Sequence, residues 1–139
     1  MEEAIKVSVV MPCLNEAEAI GICLDKIQSV FTRFKIKGEI IVADNGSSDQ
    51  SRAIAEAKGA RVFIEHRLGY GAAYLRGLRE ARGDFIIIGD SDNSYDFNEI
   101  PLFLEALNKG YDFVMGSRLK GTINKGAMKF SHRFIGNPI

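Results

Sequence analysis

Cysteine is scarce in this sequence, and its scarcity bears on the cellular compartment. Cys13 and Cys23 are the two cysteines among 139 residues, and they form neither a framework spacing nor a Cys-x-x-Cys pair. Small proteins held together by disulfides carry more cysteines, whereas a sparse pair is typical of reduced thiols in the cytosol. We therefore expect two structural thiols in a cytoplasmic chain.

Long apolar runs and an excess of charge are also missing. A membrane-spanning helix needs about 20 apolar residues in succession, and the longest apolar stretches here are short ones such as residues 7–14. Residues 1–6 lack the basic and apolar segments of a secretory signal. Lysine plus arginine equals aspartate plus glutamate at 18 each, so no global field attracts nucleic acid or anionic lipid. We expect a soluble chain without a nucleic-acid partner, in which any phosphate binding is local.

The amino-acid composition is typical of a globular protein. Hydrophobic residues make up 46% and charged residues 26% of a chain long enough for one compact domain. Short apolar runs predict strands at 7–11, 39–43, 61–65, 84–89 and 111–115, with helical patterns between them. This alternation predicts an α/β fold, a mainly parallel sheet with helices on both faces.

Local signals predict where the first two helices begin. Asn15 with Glu18, and Ser47 with Gln50, resemble capping boxes. The first helix should bury one apolar face, formed by Ile20, Leu24, Ile27, Phe31 and Phe34.

The sequence pattern after residue 70 predicts two further helices and one strongly apolar strand. A helix is predicted at 72–82 with Leu75 and Leu78 facing inward, and a further helix at 98–109. The run 84–89 is the most apolar in the chain, so we expect it to form the most buried strand.

Polar loops follow several of the predicted strands. Ligands of parallel sheets bind beyond the carboxyl ends of the strands. The loops that carry Asn15, Asp44, Asp90 and Arg118 all fall at that edge. The sequence therefore predicts one binding site to which separate loops contribute.

The run Asp90-Ser91-Asp92 directly follows the most apolar strand. Alternate residues of an extended segment point to the same side, so both carboxylates can face one point. Oxygen ligands of this kind suit Mg²⁺ or Mn²⁺, which can also bridge a diphosphate. The alternative is an ordinary polar loop, with Asp96 and Asn98 competing to cap the next helix.

The loops after the first two strands offer contacts for a nucleotide. Asp44 follows a buried strand, and its carboxylate can accept hydrogen bonds from the N–H edge of a base. Residues 47–49 are better explained as turn and helix cap. Asn15 is a candidate nucleotide contact as well as a helix cap, with the cap favoured. Glu16 can reach a ribose or base, and Pro12 shapes the turn against which a base can lie.

Two familiar nucleotide or signalling motifs are excluded. The run 69–73, Gly-Tyr-Gly-Ala-Ala, lacks the third glycine of a dinucleotide fingerprint and follows the third strand. Its glycines, Gly71 among them, more plausibly permit a close approach of backbone to ligand. A receiver domain requires an aspartate after the third strand, where residues 65–67 are Glu-His-Arg.

Together these segments resemble glycosyltransferase family 2, an inverting group with a GT-A fold. The matching segments, in order, are Val-Val-Met-Pro-Cys-Leu-Asn-Glu16, Val-Ala-Asp-Asn-Gly-Ser-Ser-Asp49, Gly-Tyr-Gly-Ala-Ala73 through Ala-Arg-Gly-Asp84, and Asp-Ser-Asp92. The resemblance implies a nucleoside-diphosphate sugar as donor and Mg²⁺ or Mn²⁺ at Asp90 and Asp92. Asn45 stands where the family signature has its second aspartate, which leaves Asp44 as the base contact.

Later segments resemble one branch of that family. Tyr95-Asp96, Gly-Ser-Arg118 and the run 132–137 are similar to dolichyl-phosphate mannosyltransferase and its relatives, which transfer a hexose to a polyprenyl phosphate. This implies that Arg118 and Arg133 contact the acceptor phosphate, and that Asp92 and Arg118 act in catalysis. Guanidinium groups suit phosphate oxygens, although Arg133 is equally consistent with a solvated helix position.

The resemblance also implies an organisation of the chain. Residues 1–119 would form the nucleotide-sugar-binding core, and 120–139 an acceptor-side loop with the start of a helix that continues in a longer chain. The enzyme would work at the cytoplasmic face of a membrane. A polysaccharide or other sugar hydroxyl as acceptor, or a non-catalytic nucleotide-sugar-binding module, remain as alternatives.

Overall fold

The structure, a computed structural model, describes residues 4–92, 96–110, 116–117 and 122–123. The chain divides into two compact units, residues 1–95 and residues 96–139. The first unit alternates strands and helices in the order β1 Val7–Cys13, α1 Ile20–Arg33, β2 Gly38–Asp44, α2 Ser51–Ala57, β3 Arg61–Ile64, α3 Tyr70–Glu80 and β4 Phe85–Ile88.

The four strands of the first unit form one parallel sheet in the order β3-β2-β1-β4. Cys13 at the end of β1 pairs with Asp44 at the end of β2, which pairs with Ile64 at the end of β3. Val10 of β1 pairs with Ile88, the last residue of β4. The loops that follow these strands therefore leave the sheet at one edge, and the predicted parallel α/β fold is confirmed.

The centre of the core is β1 rather than β4. All seven residues of β1 are buried, because β2 and β4 flank it and α3 packs against it. In β4, Ile86 is 39% exposed, since this strand ends the described sheet. The prediction that 84–89 is the most buried strand is wrong.

Helices α1 and α3 depart from the predicted apolar faces at three residues. Helix α1 buries Ile20, Leu24, Ile27 and Phe31 as predicted, together with Cys23 and Val30, but Phe34 lies at its end and is exposed. Helix α3 turns Ala73 and Gly77 inward, while Leu75 and Leu78 are 56% and 37% exposed. Small residues are required there because α3 approaches β1 closely: a Cβ at Gly77 would lie 2.3 Å from Cγ1 of Val10.

Neither predicted capping box forms. Helix α1 begins at Ile20 after Ala19, and α2 begins at Ser51 after Gln50, and neither preceding residue makes a side-chain cap. The Asn15 and Ser47 side chains instead form hydrogen bonds to partners in other loops or in their own turn.

The second unit contains a short 3₁₀ turn, Phe97–Glu99, followed by α4, Ile100–Asn108. The Asp96 carboxylate accepts a hydrogen bond from the Asn98 N–H and so caps this turn. Two short antiparallel strands, β5 Gly116–Ser117 and β6 Thr122–Ile123, pair with each other. The strand predicted at 111–115 lies outside the described residues. In the described part of the chain, no helix combines the length and apolar character that a bilayer crossing requires.

Candidate functional site

A cavity of about 450 Å³ opens at the edge where the strands of the first unit end. Four separate segments line it, and they come from the ends of β1, β2, β3 and β4. The lining residues are Pro12, Cys13, Leu14, Glu16, Asn45, Leu68, Gly69, Tyr70, Asp90, Ser91 and Asp92. The convergence of these loops agrees with the rule that parallel sheets bind ligands at this edge.

The acidic turn after β4 is held from two sides. The buried Ser91 hydroxyl donates to the backbone carbonyl of Pro12 at 2.7 Å. The Tyr74 hydroxyl, on α3, donates to Oδ1 of Asp90 at 3.1 Å. Asp92 is exposed to solvent at the cavity. The turn thus presents both aspartates to the cavity from a fixed position.

A third carboxylate faces the same cavity. Partial burial raises the pKa of Glu16, and the negative charges of Asp92, Asp49 and Asp90 raise it further. Carboxylates that repel one another in this way attract a cation or a hydrogen-bond donor. The cavity is therefore electrostatically suited to a ligand that brings positive charge with it.

The acidic turn fits a metal ion that is shared with a phosphate ligand. Within the described residues, no cluster of three or more His, Cys, Asp or Glu side chains has metal-binding geometry, so a cage made of protein ligands alone is not present in that part. Mg²⁺ is commonly bound by one or two carboxylates and completed by water and substrate phosphates. Asp90 and Asp92 meet this requirement.

Asp44 is fully buried and engaged within its own turn. Its Oδ2 accepts from the N–H groups of Gly46 and Ser47 at 2.9 and 2.8 Å, and its Oδ1 accepts from the Ser47 hydroxyl. Nε of Arg52 lies 3.9 Å from Oδ2 of Asp44. Asp44 is not among the residues that line the cavity and has no exposed surface, so contact with a base would require the turn of residues 44–47 to open.

Asn15 connects two loops instead of lining the cavity. Its backbone is left-handed, with φ of 56°, and its side-chain oxygen accepts from the N–H groups of Ser48 and Asp49 at 2.8 and 3.3 Å. Its own N–H donates to the Ser47 hydroxyl at 2.8 Å. Asn15 thereby fixes the loop after β1 to the loop after β2.

The remaining predicted site residues divide into three groups. Pro12, Glu16, Asp90, Ser91 and Asp92 all lie at the cavity. Gly71 is exposed on α3 and is not among the lining residues. Arg118 and Arg133 lie outside the described residues, so their acceptor role stays a prediction.

Several residues at or near the cavity were not predicted from the sequence. Leu68 and Tyr70 are apolar residues in a loop and at a helix start, and no local pattern marks them as functional. Gly69, by contrast, belongs to the glycine run 69–73 that was predicted to permit a close approach to a ligand, and its φ of 111° is one that only glycine adopts readily. The hydroxyl of Tyr74 could not be assigned because its partner, Asp90, is 16 residues away.

The fold and the cavity define an α/β domain of the class that binds ligands at the carboxyl edge of a parallel sheet. The profile of the family described as "Glycosyl transferase family 2" matches residues 8–139. The chain belongs to this family.

Two relatives come from Haloferax volcanii. The low-salt glycan biosynthesis hexosyltransferase is 43% identical over 133 residues, which cover 95% of this chain and 32% of that protein. The dolichyl-phosphate hexose transferase is 35% identical over 120 residues, or 86% of this chain and 49% of that protein. The chain thus spans about a third to a half of these relatives.

Solved structures agree with the GT-A fold. The glucosyl-3-phosphoglycerate synthase from Mycobacterium tuberculosis, in complex with Mn²⁺, UDP and glucosyl-3-phosphoglycerate, matches with a TM-score of 0.66 and 31% identity, over 79% of this chain and 42% of that one. The mannosyl-3-phosphoglycerate synthase from Rubrobacter xylanophilus matches with a TM-score of 0.59 and 32% identity, over 63% of this chain and 31% of that one.

Proposed function

We propose that this chain supplies the donor half of an inverting hexosyltransferase that uses a nucleoside-diphosphate sugar of the UDP-glucose or GDP-mannose type. The acceptor would be a polyprenyl phosphate. The observation that carries the proposal is the acidic turn with Asp90 and Asp92, which Ser91 and Tyr74 hold and which lines, together with Glu16, a cavity of about 450 Å³ at the carboxyl edge of the sheet. This volume is within the usual range for small-molecule sites.

Asp90 and Asp92 would hold the Mg²⁺ or Mn²⁺ ion. When bound, such an ion neutralises the charge that develops on a departing diphosphate. The chain itself contributes position: Ser91 and Tyr74 fix the turn so that its carboxylates need not reorganise when the ligand binds. The complex of the mycobacterial relative with Mn²⁺ and UDP supports this assignment.

Glu16 and Pro12 would contact the nucleoside. Pro12 lies near the end of β1 and accepts the hydrogen bond from Ser91, and Glu16 lies in the loop that follows β1; both line the cavity. The raised pKa of Glu16 makes its carboxylate a stronger acceptor for a ribose hydroxyl or a base N–H. A contact between the base and Asp44 belongs to the same proposal but requires the turn of residues 44–47 to open.

The acceptor half of the proposal relies on residues beyond the described part. Arg118 and Arg133 would bind the acceptor phosphate, with Arg118 and Asp92 close to the reacting atoms. A phosphate monoester has a second pKa of about 6 and is already anionic at neutral pH, so it needs no general base to attack the anomeric carbon. The similarity to the dolichyl-phosphate hexose transferase supports a lipid phosphate as acceptor, and such an enzyme would work at the cytoplasmic face of a membrane.

A hydroxyl acceptor is the second candidate. The solved relatives are synthases of glycosyl-3-phosphoglycerate, and one was captured with Mn²⁺, UDP-glucose and phosphoglyceric acid. A polysaccharide or other sugar hydroxyl would belong to the same group of acceptors and would require a general base.

The donor site is tested by binding. We expect Asp92→Asn to weaken Mn²⁺-dependent binding of UDP or GDP at least tenfold in isothermal titration calorimetry, because one of two metal ligands loses its charge. Asp25→Asn is the matched control, since Asp25 is exposed on α1 and pairs with Lys58. Nucleotide affinity that is the same in Asp92→Asn and wild type would contradict the metal assignment.

The acceptor is tested by turnover. The natural full-length protein is supplied with Mn²⁺, UDP-glucose or GDP-mannose, and either a short polyprenyl phosphate or 3-phosphoglycerate. A glycolipid product supports the first candidate, and glycosyl-phosphoglycerate supports the second. Formation of neither product with any common donor, by a protein that binds nucleotide, would refute both acceptors.

A further inference from the structure

The side chain of Asn45 spans from the end of β2 to the segment that joins β3 and α3. Its Nδ2 donates to the backbone carbonyls of Glu65 and Arg67 at 3.0 and 2.8 Å. Its Oδ1 accepts from the N–H of Gly69 at 3.1 Å. One side-chain amide group thus holds every second residue of the segment 65–69.

The segment that Asn45 holds leads directly into one wall of the cavity. Leu68, Gly69 and Tyr70 line the cavity, as does Asn45 itself. Leu68 is 82% exposed, so packing contributes little to its position, whereas Tyr70 begins α3 and its ring stacks on that of Tyr74. The start of this segment is also tied by the Glu65 N–H, which donates to the Asp44 carbonyl at 2.8 Å, and by the Glu65 carboxylate, which accepts from the N–H of Arg67 at 2.9 Å. The hydrogen bonds of the Asn45 side-chain amide are therefore a main determinant of the position of residues 68–70, which form this wall.

The hydrogen-bond pattern requires an amide and not a carboxylate. Two of the three partners are carbonyl oxygens, which need a donor, and the third is an N–H, which needs an acceptor. An aspartate at this position would place an anionic oxygen against two carbonyl oxygens. Asn45 therefore forms hydrogen bonds that the aspartate at this position of the family signature could not form.

We propose that Asn45 is a positioning residue that fixes the wall formed by residues 68–70 and thereby sets the affinity of the site for a nucleoside diphosphate. The proposal rests on the proposed donor function. It assigns Asn45 no contact with the metal, so the role of the wall is separable from that of Asp90 and Asp92.

Two variants test the proposal. Asn45→Asp keeps the shape and the acceptor but removes both donors, and Asn45→Ala removes all three bonds. We expect each to bind UDP with Mn²⁺ at least tenfold more weakly in calorimetry. Asn45→Ala should bind Mn²⁺ alone within twofold of wild type and retain its far-UV circular dichroism, which a general loss of structure would not allow. Asn108→Asp, an exposed residue of α4, controls for the same chemical change.

Limited trypsin digestion gives a readout that does not depend on nucleotide. Arg67 is 65% exposed in a segment that Asn45 holds, so both variants should be cut after Arg67 several times faster than wild type. Cleavage at the wild-type rate, or undiminished UDP affinity in Asn45→Asp, would overturn the proposal. If wild type itself binds neither UDP nor GDP, the proposed donor function is refuted instead, and the cleavage rates still decide whether Asn45 holds the segment.

Discussion

At the scale of single residues, the hydroxyl of Tyr74 sets the direction in which Asp90 points. Tyr74→Phe removes the hydrogen bond to Oδ1 of Asp90 but keeps the ring that stacks on Tyr70, with centroids 6.1 Å apart. Hydrogen bonds that orient metal ligands are commonly worth 10–100-fold in metal affinity. We expect about tenfold weaker Mn²⁺ binding, measured by titration with the nucleotide held in excess.

The melting temperature of the Tyr74→Phe variant serves as its control. Because the ring is retained, it should stay close to that of wild type. An unchanged Mn²⁺ affinity would show that Asp90 keeps its orientation without the hydroxyl.

Residue patterns predicted the site only where the relevant geometry is local. Both carboxylates of Asp90-Ser91-Asp92 lie at the cavity, although residues 91–92 form a turn and not the extended segment that the prediction assumed. The caps assigned to Asn15 and Ser47 were wrong, because the Asn15 side chain bonds to the loop after β2 and the Ser47 hydroxyl donates to Asp44 in its own turn. Asn15 bonds to Ser48, 33 residues away in sequence, and a four-residue pattern carries no information about such a distance.

At the scale of elements, the contact of α3 with β1 depends on the absence of a side chain. A Cβ at Gly77 would lie 2.3 Å from Cγ1 of the fully buried Val10. We expect Gly77→Ala to destabilise the fold by about 1–3 kcal/mol, measured by urea unfolding, because the helix must move away from the sheet.

Gly71 provides the matched control on the same helix. A Cβ there meets no atom within 4 Å, so Gly71→Ala should leave stability unchanged or raise it by up to about 1 kcal/mol through helix propensity. Equal effects of the two substitutions would contradict the close approach at Gly77.

The same contact explains why the inward face of α3 could not be predicted. A hydrophobic pattern assigns large apolar residues to the core, and it selected Leu75 and Leu78. The distance between helix and strand instead selects the smallest residues, Ala73 and Gly77. That distance is a property of the packed pair and not of the helix sequence.

At the scale of the whole molecule, a polar network far along the sheet from the cavity links its strands. Glu39 of β2 accepts from the Ser8 hydroxyl at 2.6 Å, from Arg61 of β3 at 2.8 Å and from the Arg82 N–H at 2.8 Å. Burial alone would raise the pKa of Glu39, but these hydrogen bonds and the charge of Arg61 outweigh it and hold the pKa below its ordinary value of 4.5.

The lowered pKa of Glu39 makes stability depend on pH in a definite direction. A carboxyl whose pKa is lower in the folded state stabilises the fold above its unfolded pKa, and this contribution is lost as pH falls through the folded value. We expect Glu39→Gln to cost about 2 kcal/mol at pH 7, and the difference from wild type to shrink below pH 4.5. Urea unfolding at pH 7 and pH 3 measures both.

The exposed Glu18 supplies the control for the loss of one negative charge. Glu18→Gln should change stability little at either pH. A Glu39→Gln deficit of equal size at pH 7 and pH 3 would show that the network does not depend on the charge of Glu39.

The overall topology was the most predictable level, because alternating strand and helix patterns with short connections allow few arrangements. The order of strands in the sheet was less accessible. The most apolar run, 84–89, forms an end strand of the described sheet, since burial is decided by which strand lies in the middle and not by composition.

The hydrogen bond from Ser91 to the Pro12 carbonyl joins residues 79 positions apart, and this has a consequence for biosynthesis. Chains emerge from the ribosome N-terminus first, and contacts of long sequence separation form slowly. Until β4 has emerged, β1 has one edge without its partner strand, and unpaired apolar edges promote aggregation. Nascent chains cut short before residue 85 should therefore yield insoluble product, and the cavity is completed by residues 90–92 just after β4 has paired with β1.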